Sequence, residues 1–255
     1  MANSEIIGAG QDTAHRAPKT NTITCGDARH LITELPNCSV DLIITDPPYG
    51  VGGGIENNSE HILSAMLPEM YRVLKPDGAI YMFTSFKFLT NWFYRFQIYF
   101  KLVNLLVWDK DRHSGLFTGQ NYGYSYENIF FGTKGYHKLR LVKNDVFSHK
   151  RKNFLSHPMR KPVELLSEFI ETSSDVGNVI LDPFVGSGAT AEACKNLGRN
   201  FIAFEISEEY CRIAEERIHA LRSPAQNNME ICHTAPNSAV LQGLKPHAGG
   251  TGTSA

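Results

Sequence analysis

Two short stretches carry residues whose types and spacing could do chemistry. The first reads Ile44-Thr45-Asp46-Pro47-Pro48-Tyr49-Gly50 and follows the apolar run Val40–Ile44. Its prolines remove two backbone N–H donors and fix two φ angles, so an acid, carbonyl oxygens and an aromatic ring are held rigidly outward where a strand should end. The second runs from Asn178 to Glu205. A strand ends at Asp182, a turn containing Gly186 and Gly188 opens a helix that stops at Gly198, and a second strand ends in Glu205, nineteen positions after Gly186. In open parallel sheets this is the geometry of an adenosine-type site, in which glycines admit the ligand to the backbone and an acid reaches the ribose hydroxyls. Ala191 stands where a third glycine would complete a dinucleotide fingerprint, and no Gly-Lys-Ser/Thr follows. A cofactor without a pyrophosphate fits better than a dinucleotide or triphosphate, although a G-x-G alone is also just a tight strand-to-helix turn.

These stretches need a scaffold. A chain of 255 residues with 42% hydrophobic and 20% charged residues suits one large core. Apolar runs at Thr22–Thr24, Val40–Thr45, Ala79–Thr84, Val103–Trp108, Asn128–Phe131, Val179–Leu181 and Asn200–Phe204 alternate with helical patterns. That alternation predicts an α/β fold with a doubly wound, mostly parallel sheet. A helix from about Asn58 or Ser59 should stop at Pro76–Gly78 and kink at Pro68. Another, from Ser207, carries Tyr210, Ile213, Ala214, Ile218 and Leu221 on one face, with a Glu208/Arg212 pair at i,i+4. A folded core is expected over residues 21–222, between flexible tails at 1–20 and 223–255 that lack periodicity.

The net charge of −1 gives no overall attraction to a polyanion, so any such affinity must be local. From Lys134 to Lys161 there are nine basic residues against one acid, Asp145. Lys134, Lys138, Arg140, Lys143, Lys150, Arg151 and Lys152, interleaved with amides and histidines, suit phosphate and base-edge contacts. A solvated face is the plainer reading of a charge run. Five scattered cysteines and an N-terminus without a signal-peptide core suggest a cytoplasmic, reducing setting. The most apolar segment, Phe86–Trp108, is interrupted by Lys87, Asn91, Arg95, Lys101 and Asn104, which reads as a buried helix followed by a strand rather than a membrane span.

With Asp-Pro-Pro-Tyr and Asp-Pro-Phe-Val-Gly-Ser-Gly in one chain, the sequence resembles the S-adenosylmethionine-dependent DNA methyltransferases that act on exocyclic amino groups, over most of residues 22–222. The order, tetrad before glycine loop, is that family's β arrangement. The resemblance implies a Rossmann-like methyltransferase fold with a short basic target-recognition insert at about 133–157, S-adenosyl-L-methionine as cofactor and DNA as partner. It makes Asp46, Pro47, Pro48 and Tyr49 catalytic, and Asp182, Pro183, Phe184, Gly186 and Gly188 the cofactor loop. Asp27 would meet the cofactor adenine and Glu205 the ribose. His157 and Lys161, in His-Pro-Met-Arg-Lys-Pro, would lie by its methionine end; Met159 replaces the family's usual small or hydroxyl residue. A homodimer and a cognate restriction endonuclease are further partners the resemblance brings.

The chemistry suits the tetrad. The lone pair of an adenine or cytosine amino group is delocalised into the ring, and two hydrogen-bond acceptors aimed at its N–H groups would make the nitrogen more tetrahedral. The Asp46 carboxylate and the Pro47 carbonyl can supply both, and Tyr49 offers a face for a base flipped from the duplex. The shed proton can leave through water or transiently through Asp46. No cysteine follows a proline, which disfavours cytosine-C5 chemistry. The expectation is N6-adenine methylation of DNA at a short specific sequence. N4-cytosine methylation is the nearest alternative, with an RNA methyltransferase or a catalytically silent DNA-binding module more distant.

Overall fold

The computed structural model describes residues 18–48, 56–114, 122–150 and 160–221. Expectations for Tyr49, Arg151, Lys152, His157 and most of both tails lie outside these residues. Eight strands form one sheet: β1 (Thr22–Cys25), β2 (Val40–Thr45), β3 (Leu74–Thr84), β4 (Lys101–Ser114), β5 (Tyr124–Thr133), β6 (Val146–Ser148), β7 (Val179–Asp182) and β8 (Asn200–Glu205). Their order across the sheet is β1-β8-β7-β2-β3-β5-β4-β6. Only the β3/β5 and β4/β5 pairings are antiparallel, so β5 alone is reversed. The helices are α1 (Ala28–Leu31), α2 (Glu56–Val73), α3 (Leu89–Tyr99), α4 (Val163–Ser173), α5 (Ala189–Asn196) and α6 (Glu208–Ala220).

Both faces of the sheet are covered, as the continuous apolar runs of β2 and β3 require. Alternation sends Leu42, Ile44, Tyr81 and Phe83 to one face, against Leu165, Leu166, Phe169 and Ile170 of α4 and Ala189 and Ala193 of α5. It sends Ile43, Ile80 and Met82 to the other, against Leu63, Leu67 and Met70 of α2 and Trp92 and Phe96 of α3. β2 leads through α2 to β3 on one side, while β7 leads through α5 to β8 on the other. Adjacent strands β2 and β7 therefore flank the point where the direction of winding reverses. In open α/β sheets the crevice beyond the strand ends at that point is where ligands sit.

Several boundaries differ from expectation. α2 ends at Val73, not at Pro76, because the incoming β2 segment takes its last carbonyls: Cys38 N donates to Arg72 O (3.1 Å) and Ser39 N to Val73 O (2.8 Å). Pro68 is accommodated within α2. β3, β4 and β5 extend beyond their apolar centres because ladder pairing continues through polar residues such as Asp109 and Glu127. β6 is an addition within the basic segment, pairing in parallel with Val107–Asp109. In α6, Arg212 turns to Glu216 (2.6 Å) rather than Glu208.

Gly132 of β5 lies beneath α3, where an added Cβ would fall 2.5 Å from the Phe96 ring. Gly132→Ala should therefore destabilise the fold by ~1–3 kcal/mol through overpacking. Urea unfolding measures this, and an unchanged midpoint would show that α3 can shift away.

Candidate active site

The ends of β2, β7 and β8 open into a cavity of about 430 Å³ at the winding reversal, lined by Asp46, Pro47, Pro48, Asp182, Phe184, Gly186 and Glu205 among others. With Lys161, eight site residues singled out in the sequence thus face one space. The two chemistry-bearing stretches, more than a hundred residues apart, meet because β2 and β7 are hydrogen-bonded neighbours. A larger groove of about 940 Å³ follows β1 and carries none of these acids.

Glu205 organises the glycine turn. Its carboxylate accepts hydrogen bonds from Gly186 N and Ser207 N, both at 2.9 Å, while Val185 N donates to Phe204 O (2.9 Å). Gly188 begins α5 with φ +85°, and a Cβ there would lie 2.9 Å from the Ala214 methyl of α6. Left-handed geometry and close helix packing both call for glycine. Asp182 is buried below the turn and accepts hydrogen bonds from Phe184 N (3.1 Å) and Thr190 Oγ1 (2.5 Å). Burial raises its pKa to about 7, the two hydrogen bonds opposing and the charges of Asp46 and Glu205 adding to the rise.

On the opposite wall the Lys161 ammonium bonds to the Asp46 carboxylate and lies 3.1 Å from Glu127 Oε2. Lys110 Nζ lies 3.6 Å from the other oxygen of Glu127. Glu127 and Lys110, on β5 and β4, were not expected in a site; a charged residue on an apolar strand was the available signal. Thr190, Ser187, Arg160, Ile206 and Tyr210 also line the cavity without having been read as site residues. Ile206 is 71% exposed, directly after Glu205, and offers an apolar surface at the mouth.

Asp27 follows β1 beside the end of β8, Gly26 N donating to Glu205 O (2.8 Å). It caps α1 by accepting from Arg29 N (2.9 Å), and the Arg29 guanidinium holds its carboxyl below the usual range. Pro183 sits in the turn between Asp182 and Phe184 without lining the cavity. Of the basic run, Lys134 donates to Tyr71 O and Leu74 O (2.7 Å each), satisfying carbonyls at the end of α2. Arg140 pairs with Asp175 (2.8 Å), Lys143 with Glu168 (3.0 Å) and Lys150 with Asp111 (3.3 Å), while Lys138 is exposed.

A DNA methylase family model, that of the N6/N4 methyltransferases, matches residues 40–216 and so spans both acid-bearing stretches. The chain belongs to this DNA methylase family. The methylase is 32% identical over 235 residues to the Type II methyltransferase M.HpaI of Haemophilus parainfluenzae, covering 77% of this chain and 73% of that protein. It is 30% identical over 245 residues to the DNA adenine methyltransferase YhdJ of Escherichia coli K12, covering 78% and 83%. The crystal structure of the M1.HpyAVI–SAM complex superposes with a TM-score of 0.64 at 26% identity, covering 77% of this chain and 98% of that one. The fold is the α/β, Rossmann-like methyltransferase fold. Among the described residues no helix of the methylase is long and apolar enough to cross a membrane.

Asp182 yields a signed pH dependence. An unfolded aspartate ionises near 3.8 and the folded one near 7, so between these values the folded chain holds the extra proton, and this group's contribution to stability falls as pH rises toward 7. Asp182→Asn should make the melting temperature less dependent on pH across that window than in the parent protein. Parallel curves for both proteins in thermal melts would show that Asp182 ionises normally.

Proposed function

We propose that the methylase transfers a methyl group from S-adenosyl-L-methionine to the N6 amino group of a flipped-out adenine in DNA, at a short specific sequence. The observation that carries this reading is that Asp46, Pro47 and Pro48 share one cavity with the Gly186–Glu205 pair. The residues fit the cofactor. Glu205 and the glycine turn would form the cradle for an adenosine and its ribose hydroxyls, with Ile206 as an apolar surface beside them. When bound, the cofactor supplies an electrophilic methyl on its positively charged sulfonium.

The chain's own work is to bind, orient and activate. Asp46 and the Pro47 carbonyl accept the two N–H groups of the target amine, and the consecutive prolines keep the acceptors from relaxing away as charge develops. Tyr49 would stack on the flipped base and offset part of the few kcal/mol that unpairing costs. An adenine target is favoured by the aspartate at the head of the tetrad and by the similarity to YhdJ, a DNA adenine methyltransferase. The description of M.HpaI as a Type II methyltransferase makes a cognate endonuclease part of the same reading. Lys138, Lys150, Arg151 and Lys152 are assigned to the DNA backbone, with residues 21–222 as the catalytic unit.

Incubation with labelled S-adenosyl-L-methionine and unmethylated genomic DNA, followed by mass spectrometry of the nucleosides, should yield N6-methyladenine. N4-methylcytosine would change the target but keep the mechanism; no methylated base would overturn the reading. Asp46→Ala should abolish transfer while leaving cofactor binding within a few-fold, read by calorimetry. Neutralising Lys138, Lys150, Arg151 and Lys152 together should lower the slope of log affinity against log salt by up to ~3–4. Lys134→Met should leave that slope alone and lower stability, because its ammonium is committed to helix carbonyls.

A further inference from the structure

Lys161 and Lys110 are the two buried lysines among the described residues. Lys161 is only 7% exposed, and its ammonium sits 4.9 Å from the Phe83 ring centre and 6.0 Å from that of Trp108. Burial by itself would discharge such an amine. The carboxylate of Asp46, and then that of Glu127, reverse this and hold its pKa above the usual lysine range. Glu127 is in turn engaged by Lys110, which is 3% exposed, so that acid and base alternate along a line from Asp46 inward: Asp46, Lys161, Glu127, Lys110. The line is assembled from four separate places: the end of β2, the residue before Pro162 at the head of α4, β5, and β4. The strands fix its inner half, since Glu127 pairs with Trp108 in the β4/β5 ladder and Lys110 lies two residues beyond Trp108.

A buried ion chain of this kind is a poor way to gain stability, because desolvating the charges offsets most of their attraction. What it does supply is a fixed direction. Asp46 leaves β2 on a rigid segment, yet its carboxylate could still rotate; the Lys161 ammonium holds its Oδ2 and fixes that rotation. We infer that Lys161 and Glu127 are positioning residues for Asp46, and that the buried ammonium aims the Asp46 carboxylate toward the target amine. Lys161 then serves the tetrad rather than the cofactor, which is a different role from the one its sequence motif implies. The inference rests on the proposed role of Asp46.

Among the described residues, the charged and titratable groups facing this point are Asp182 at the end of β7, Glu205 at the end of β8, Arg160, which pairs with Glu192 (2.9 Å), and Tyr210 of α6, together with the four members of the line. Removing the Lys161 ammonium takes away the cation that Asp46 and Glu127 share, and with it the contact that fixes the direction of the Asp46 carboxylate.

The test is kinetic and uses the full-length protein on unmethylated DNA. Lys161→Met should bind S-adenosyl-L-methionine within a few-fold of the parent by calorimetry but lose ~10²-fold in kcat near neutral pH, the scale of a misaimed catalytic group. Lys161→Arg, which restores a permanent positive charge, should recover more of kcat than Lys161→Met does. Glu127→Gln, nearly isosteric and less disturbing to folding, should lower kcat without raising KM for the cofactor. If Lys161→Met instead weakens cofactor binding in proportion to its loss of activity, Lys161 is a cofactor ligand and the inference fails. The same holds if Lys161→Met and Glu127→Gln both turn over normally, or if Lys161→Arg recovers no more activity than Lys161→Met. Asp46→Ala separates the two readings: normal transfer by that variant overturns the tetrad mechanism itself, whereas an inactive Asp46→Ala beside a fully active Lys161→Met overturns only the positioning role.

Discussion

Between β2 and β7 the winding of the sheet parts company, α2 carrying the chain to β3 across one face and α5 carrying it to β8 across the other. No crossover helix can cover the strand ends at such a point, so a crevice is left there as a geometric consequence of the topology. Everything polar in the candidate site hangs on that opening. Asp46 reaches it because β2 ends there, Asp182 and the glycine turn because β7 does, and Glu205 because β8 lies next in the sheet. Had either crossover run the other way, the same residues would have ended beneath a helix.

Three carboxylates converge on this crevice, and the protein meets the cost of each differently. Glu205 is satisfied by backbone amides of the turn it organises. Asp182 is satisfied by a hydroxyl and one amide and, being buried near two other acids, holds a proton far above the normal range. Asp46 is matched by an ammonium that burial would have discharged but for its two carboxylate partners. Neighbouring groups of one chemical type, driven to different states by their surroundings, are how a single site separates roles among similar residues. Here one acid holds a turn, one is buried with its pKa raised, and one is paired with a buried ammonium.

The basic run shows the opposite economy. Positive charge concentrated in one stretch of sequence is dispersed in the fold, with Lys134 closing the end of α2 and Arg140, Lys143 and Lys150 each beside an acid. Part of this stretch is β6, whose Phe147 packs on Phe169 in the core at 5.0 Å between ring centres. Exposed ion pairs of this sort are weak and exchange readily for phosphate contacts, whereas the carbonyl-bound Lys134 does not. A count of charges along the chain therefore overstates what is free to meet DNA.

Local order was legible from the sequence wherever one physical rule acted alone. Apolar runs and helical patterns located seven of the strands and the helices α2, α3, α5 and α6, and two prolines after an acid, or two glycines before a helix, marked positions where the backbone had to be rigid or left-handed. The residues that end β2, β7 and β8 were readable for the same reason, since strand, turn and cap each leave a local signature. β6 was not, because three residues on a sheet edge leave no period to detect, and neither was the end of α2, which is set by a strand arriving from elsewhere in the chain. The sequence by itself determined which acids stand at strand ends and what a cofactor loop there could bind. Only the tertiary structure decided that Lys161 faces Asp46, and that Glu127 and Lys110 stand behind it, because a buried ion chain drawn from four distant segments is specified by packing and not by any local pattern.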